Sequence, residues 1–231
     1  MSDVASPETQ DCPRCGKPAG LCVCAALATI DNRVELLVLR HPQEQDRELG
    51  TADILCRQLE RATLRTGLSW PNLAKALGRP AEARRWGTLY LGTRTQAPAP
   101  DAPPLLAVDA EGAELADQEG VLGSLEGLIL LDGNWAQAKA LWWRNAWLLK
   151  TRRLVLNPRA PSLYGNLRRE PRRESVSTLE AGALALSILE GRPQIVAPLL
   201  EPLRLLLRKY RDSGARPRMP DRRRRRRRPG Q

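Results

Sequence analysis

The sequence predicts an α/β fold, a mostly parallel sheet with flanking helices, with a small zinc-binding segment at its N-terminal end. The continuous apolar run Gly127-Leu-Ile-Leu-Leu131 is bounded by the turn Asp132-Gly133-Asn134. A short apolar run closed by a turn reads as a strand buried on both faces. That turn leads at once into an Ala/Leu/Trp-rich helix, Trp135 to Trp147. A strand end, a tight turn and a helix start therefore converge, which is where open α/β sheets bind ligands. The third observation is the spacing C-x2-C-x6-C-x-C made by Cys12, Cys15, Cys22 and Cys24. Thiols so close, separated by Gly and Pro, fold into one tetrahedral sulfur site, and zinc suits it. Disulfides compete only outside a reducing compartment.

With 231 residues, one domain of about 180 residues plus appendages is the natural partition. The boundaries fall at 1–30 for the cysteine segment, 31–212 for the main domain and 213–231 for a tail without periodicity, expected to be disordered. Hydrophobic content is 42%, Phe is absent, and no long apolar run occurs. The N-terminus lacks a charged-then-apolar signal pattern, so a soluble, cytoplasmic protein without membrane association is expected. No pattern sets an oligomeric state.

Charge is unevenly placed. The net charge is +11, and residues 204–231 alone hold thirteen basic and two acidic residues, seven of them consecutive arginines. Residues 144–174 hold nine basic and two acidic residues. Cationic charge gathered into one internal segment and one tail fits a polyanion, of which nucleic acid is the commonest.

In chain order, Arg33 to Leu39 reads as the first strand, ending at the polar cluster Arg40 to Arg47, which contains the sole histidine, His41. A helix is expected from Thr51 to about Thr66, with Cys56 as a small apolar residue inside it. Trp70 to Leu77 reads as a short helix with Pro71 in its first turn. Trp86 to Leu91 reads as a core strand closed by Gly92, where a missing Cβ permits close ligand approach. A Pro/Ala-rich surface loop follows at 96–104, then a short strand at 105–109 and an acidic excursion at 111–123. Asp132 stands at the strand end, where either catalysis or helix capping suits it, and Asn134 is an equally good cap. Trp135, Trp142, Trp143 and Trp147 follow on one helix; most are expected in the core, while Trp135 sits beside Asp132, where an indole packs on a base. Arg152 to Asn157 is the next strand. It runs into a loop with Arg159, Tyr164, Arg168 and Arg169, continuing to Arg172 and Arg173, whose forks and ring suit phosphate and base contact. Ser175 to Glu190 is a helix with the capping box Ser177/Glu180. Ile195 to Tyr210 is a further amphipathic helix.

Five segments together resemble the DTW-domain family: the four-cysteine motif, His41-Pro42 with Glu44 and Thr51, Asp132-Gly133-Asn134-Trp135 with Gln137-Ala138, Ser162 to Arg169, and Ser177-Thr178 with Glu180-Ala181. Asn134 stands in place of the family threonine and Gly50 in place of an asparagine. The resemblance implies a knotted, SPOUT-like sheet and transfer of the 3-amino-3-carboxypropyl group of S-adenosylmethionine to N3 of a tRNA uridine. It implies Asp132 as the base, and a cofactor crevice lined by Thr51, Gly92, Leu131, Trp135, Leu154, Ser177 and Thr178. It also implies tRNA contact through Arg152, Arg153, Arg159, Tyr164, Arg168, Arg169, Arg172 and Arg173, and structural Zn2+ on the four cysteines. Methyl transfer from the same donor is the competing chemistry. A zinc-bearing RNA-binding module without catalysis is the competing class.

Overall fold

The computed structural model describes residues 11–44, 48–89, 102–165, 167 and 176–214. Six strands form one sheet in the order β2-β1-β5-β3-β6-β4. β1 (Glu35–Arg40), β2 (Ala62–Thr66), β3 (Trp86–Leu89), β5 (Gly127–Asp132) and β6 (Arg152–Leu156) pair in parallel, and β4 (Leu105–Val108) closes one edge antiparallel to β6. β5 lies between β1 and β3, with Arg40 opposite Asp132 at its carboxyl end.

Alternation along the central strands sends side chains to two cores. Leu36, Val38, Leu128 and Leu130 join one cluster with α1 (Ala52–Cys56), α5 (Thr178–Leu189) and α6 (Val196–Asp212). Leu37, Leu39 and Ile129 join another with α2 (Leu73–Leu77), α4 (Trp135–Arg144), Trp86 and Trp147. Both faces are thus covered, as a parallel sheet requires. The cysteine segment belongs to the first core through Leu21 and Val23. Gly182 lets α5 lie against α1, because a Cβ there would meet Leu55 Cδ2 at 2.4 Å. Among the described residues no helix is long and apolar enough to cross a membrane.

Several expected boundaries move. The helix expected from Thr51 to Thr66 stops at Cys56, and Ala62–Thr66 is instead the edge strand β2. Asn32 decides this: its amide brackets Arg61, donating to the carbonyl and accepting from the N–H, both at 2.9 Å, and so delivers the chain to the side of β1. α2 starts after Asn72, whose side chain accepts from the Lys75 N–H, so Pro71 precedes the cap. The helix expected to reach Trp147 ends at Arg144, because Asn145 donates to the Leu141 and Leu68 carbonyls and accepts from the Trp70 N–H. Trp147 then enters the second core from a 3-10 turn, while Trp143 is 71% exposed rather than packed. The acidic excursion contains a short helix, α3 (Gln118–Gly123), capped by Asp117.

Candidate active site and metal centre

Asp132 ends β5 with 8% of its surface exposed. Its carbonyl accepts the His41 N–H at 3.0 Å, and its carboxylate Oδ1 accepts the Thr178 hydroxyl at 2.6 Å. It does not cap α4. That task falls to Asn134, whose Oδ1 accepts the Gln137 N–H at 3.1 Å while Gln137 Oε1 accepts the Asn134 N–H at 2.7 Å. This reciprocal box satisfies two helix-start donors, so asparagine performs there the capping a threonine would perform. Gly133 makes the turn possible: its φ is +150°, and a Cβ would meet Gln137 Cβ at 2.8 Å.

The start of α5 is bound to its neighbours from three sides. Thr51 Oγ1 accepts the Leu179 N–H at 3.3 Å, and Ser177 Oγ accepts the Glu180 N–H at 3.1 Å. Glu180, 4% exposed, accepts from the Ser177 N–H, the Ser162 hydroxyl and the Leu163 N–H at 2.7–2.9 Å. A buried carboxylate with three donors is satisfied and rigid. It ties the loop after β6 to the helix that carries Thr178. The local capping box was visible in the sequence, but the links to Ser162 and Leu163 were not. Beside Asp132, Arg40 pairs with Asp53 of α1 and donates to Thr66 Oγ1 at 3.2 Å. His41, 7% exposed, accepts the Gln43 N–H at Nδ1. Burial, with the Asp53 and Asp132 carboxylates adding to it, pushes the Cys56 thiol up to about 12.

The ligand atoms of Cys12, Cys15, Cys22 and Cys24 all lie within 4.8 Å of one another, with sulfur separations of 3.4–3.9 Å for three of the pairs. Tetrahedral thiolates around zinc stand about 3.8 Å apart for bonds of about 2.3 Å, so these four residues could hold a metal ion. Hydrogen bonds from the Cys15 and Arg14 backbone lower the Cys12 thiol to about 6, whereas burial raises Cys24 to about 12. Metal binding at such a site requires thiolates and so releases protons from thiols that burial keeps protonated, as at Cys24.

Lys17, inside this segment and only 3% exposed, was not anticipated. Its ammonium donates to the carbonyls of Glu48 at 3.0 Å and Gly50 at 2.8 Å. The carbonyl between them, on Leu49, accepts the Tyr164 hydroxyl at 2.5 Å. The backbone that delivers Thr51 is therefore held by the cysteine segment on one side and the loop after β6 on the other.

The sequence expectations fare unevenly. Asp132, Thr51, Ser177 and Thr178 are brought together, and Trp135, 37% exposed, opens α4 two residues beyond Gly133. Leu131 is half-buried against the second core. Leu154 is fully buried in the first core, its side chain packed against Gly87. Tyr164 is buried as well, 1% exposed. Arg153 is engaged within the protein, donating to the Ala110 carbonyl at 2.5 Å with its guanidinium 5.6 Å from the Trp142 ring centroid. Arg152 and Arg159 are exposed. Gly92, Arg168, Arg169, Arg172, Arg173 and the tail from 215 lie outside the described residues.

A carboxylate held at the carboxyl edge of a mostly parallel sheet, and four clustered thiols that could hold a metal ion, define an α/β domain with a small cysteine segment. The chain belongs to the DTW-domain family, whose sequence model matches residues 9–211. It is similar to the tRNA-uridine aminocarboxypropyltransferase 2 of Drosophila melanogaster, 31% identical over 210 residues that cover 88% of this chain and 76% of that protein. The Mus musculus protein of the same name is 30% identical over 203 residues, covering 85% of this chain and 62% of its own length. The chain thus spans less than two thirds of the mouse relative. No solved structure matches at a significant level.

Proposed function

We propose that this chain transfers the 3-amino-3-carboxypropyl group of S-adenosylmethionine to N3 of a uridine in tRNA. The observation that carries the reading is the Asp132 carboxylate: it is buried at the edge of β5, relieved of capping by Asn134, and oriented by the Thr178 hydroxyl. The names of the relatives support the substrate class.

The donor carbon is already activated by its sulfonium, so the enzyme must deprotonate the acceptor, align it and exclude water. Asp132 takes the N3 proton. The N3 electron pair forms the new N–C bond to the aminopropyl carbon while the S–C bond breaks, and its electrons stay on sulfur as methylthioadenosine. Thr178, donating to Oδ1, fixes the orientation of the carboxylate at the strand end. Thr51 and Ser177 hold the α5 start in register with Asp132. Zn2+ is the proposed occupant of the four thiols, with a structural role. The knotted SPOUT-type crevice is proposed with it, supported by a strand order in which sequence-distant β1, β5 and β3 are neighbours. The domain limits remain 31–212 for catalysis and 213–231 for an RNA-attracting tail.

Incubation of the protein with unmodified tRNA and S-adenosylmethionine, followed by nucleoside mass spectrometry, tests the proposal. The expected products are aminocarboxypropyl-uridine and methylthioadenosine. S-adenosylhomocysteine with a methylated nucleoside would replace this reading by methyl transfer, and tRNA binding with no product would leave a binding module.

A further inference from the structure

We propose that the exposed face of α4 is a stacking strip for unpaired RNA, running from the Asp132 crevice along Trp135, Lys139 and Trp143. The three residues follow at i, i+4 and i+8, a spacing that places them in one row along a helix, with the two indoles about 12 Å apart. All three are exposed, Trp135 by 37% and Trp143 by 71%. The adjoining side of the helix supplies its core contacts through Ala138, Leu141 and Trp142. Trp143 leaves most of its indole to water, and together with the exposed Trp135 ring it makes an aromatic patch of the kind that marks an interaction surface. Ala136 and Ala140 flank the row and are too small to cover the rings.

Charge selects the occupant. Residues 135–157 contain five basic residues and no acidic one. Of these, Lys139, Arg144, Lys150 and Arg152 are exposed. Aromatic faces interleaved with cations bind single-stranded nucleic acid, the rings stacking bases and the cations following phosphates. Two rings about 12 Å apart suit bases splayed out of a stack, not a duplex whose bases repeat at about 3.4 Å. A second copy of the chain is the poorer partner, because a two-fold contact would set this acid-free segment against itself. The strip begins beside the carboxylate, so it would hold the unpaired nucleotides flanking the target uridine. This inference rests on the proposed function for tRNA as the partner.

The test uses the full chain with tRNA and with a ten-nucleotide oligouridine, read by fluorescence anisotropy. Trp143→Ala is expected to weaken both about tenfold, and Trp143→Tyr to restore most of the affinity. Lys139→Ala is expected to weaken binding several-fold and to lower the salt slope by about one. Thermal midpoint and S-adenosylmethionine affinity are expected to stay unchanged in all three, since the residues are exposed. Wild-type RNA affinity in Trp143→Ala would overturn the strip. So would a wild-type dimer in sedimentation that Trp143→Ala turns into monomer without loss of RNA binding. Should the variants lose RNA affinity while the wild type forms no aminocarboxypropyl-uridine, the strip stands and the proposed function falls.

Discussion

Replacing Lys17 with methionine tests whether the cysteine segment holds the backbone of the active site. Methionine keeps the aliphatic stem and most of the volume but removes the ammonium that donates to Glu48 and Gly50. A hydrogen bond involving a charged group contributes about 1.5–3 kcal/mol. Two are lost, and the relief of no longer burying a charge offsets part of the loss. A net destabilisation of about 2–3 kcal/mol follows. For a urea slope of about 2–3 kcal/mol/M, the midpoint should fall by about 1 M. Tyr164 still holds the Leu49 carbonyl, so the loop loosens without detaching. If only about a tenth of the molecules then keep Thr51 in register, apparent affinity for S-adenosylmethionine falls about tenfold, measurable by calorimetry. Lys209→Met supplies the comparison. Lys209 donates to the Cys22 carbonyl at 2.6 Å, from α6 and away from the 48–50 backbone. That variant should lose stability without losing cofactor affinity. An unchanged urea midpoint and unchanged affinity in Lys17→Met, or equal affinity losses in both variants, would refute the coupling.

Asp132→Asn is expected to lower transfer at least a hundredfold at saturating tRNA, following the usual contribution of a general base of about 10²–10⁴, with tRNA affinity retained; near-normal turnover would remove Asp132 from the chemistry. If the four cysteines hold the proposed Zn2+, chelation should free four thiols to colorimetric titration and open residues 12–24 to proteolysis, because the segment has few apolar contacts beyond Leu21 and Val23; four thiols titrating before chelation would contradict the metal centre. Native Cys56, with its thiol raised to about 12 by burial and two nearby carboxylates, should resist iodoacetamide at pH 8 and react once unfolded; rapid native alkylation would contradict its environment. Deleting residues 221–231 should weaken RNA binding and flatten its salt dependence while leaving nucleoside specificity intact, since consecutive arginines recognise phosphate and not base.

Local patterns in the chain reported much of this architecture. The apolar runs became β1 and β5 because a strand covered on both faces needs no polar alternation. The Ser177/Glu180 box became a real cap because all its partners lie within one helical turn. The four cysteines met because 13 residues with Gly and Pro can close on a point. β2 was misread because its strand character comes from Asn32, 29 residues earlier, gripping Arg61.

What the sequence determined by itself, then, was the presence of a parallel sheet, a thiol centre, and a carboxylate at a strand end. Which residue caps α4 and which binds the Thr178 hydroxyl was decided by the folded structure, since both Asp132 and Asn134 have a side chain suited to capping. Thr178 reaches Asp132 across 46 residues, and Lys17 reaches Gly50 across 33. Tyr164 looked like a base-stacking ring and became a buried donor to Leu49, 115 residues away. Periodicity and capping preference act over one or two turns of chain, whereas these contacts exist only after the crossovers have stacked β1, β5 and α5 side by side. The physical division is between interactions whose entropy of closure is small enough to be encoded locally and those that only a completed sheet brings within reach.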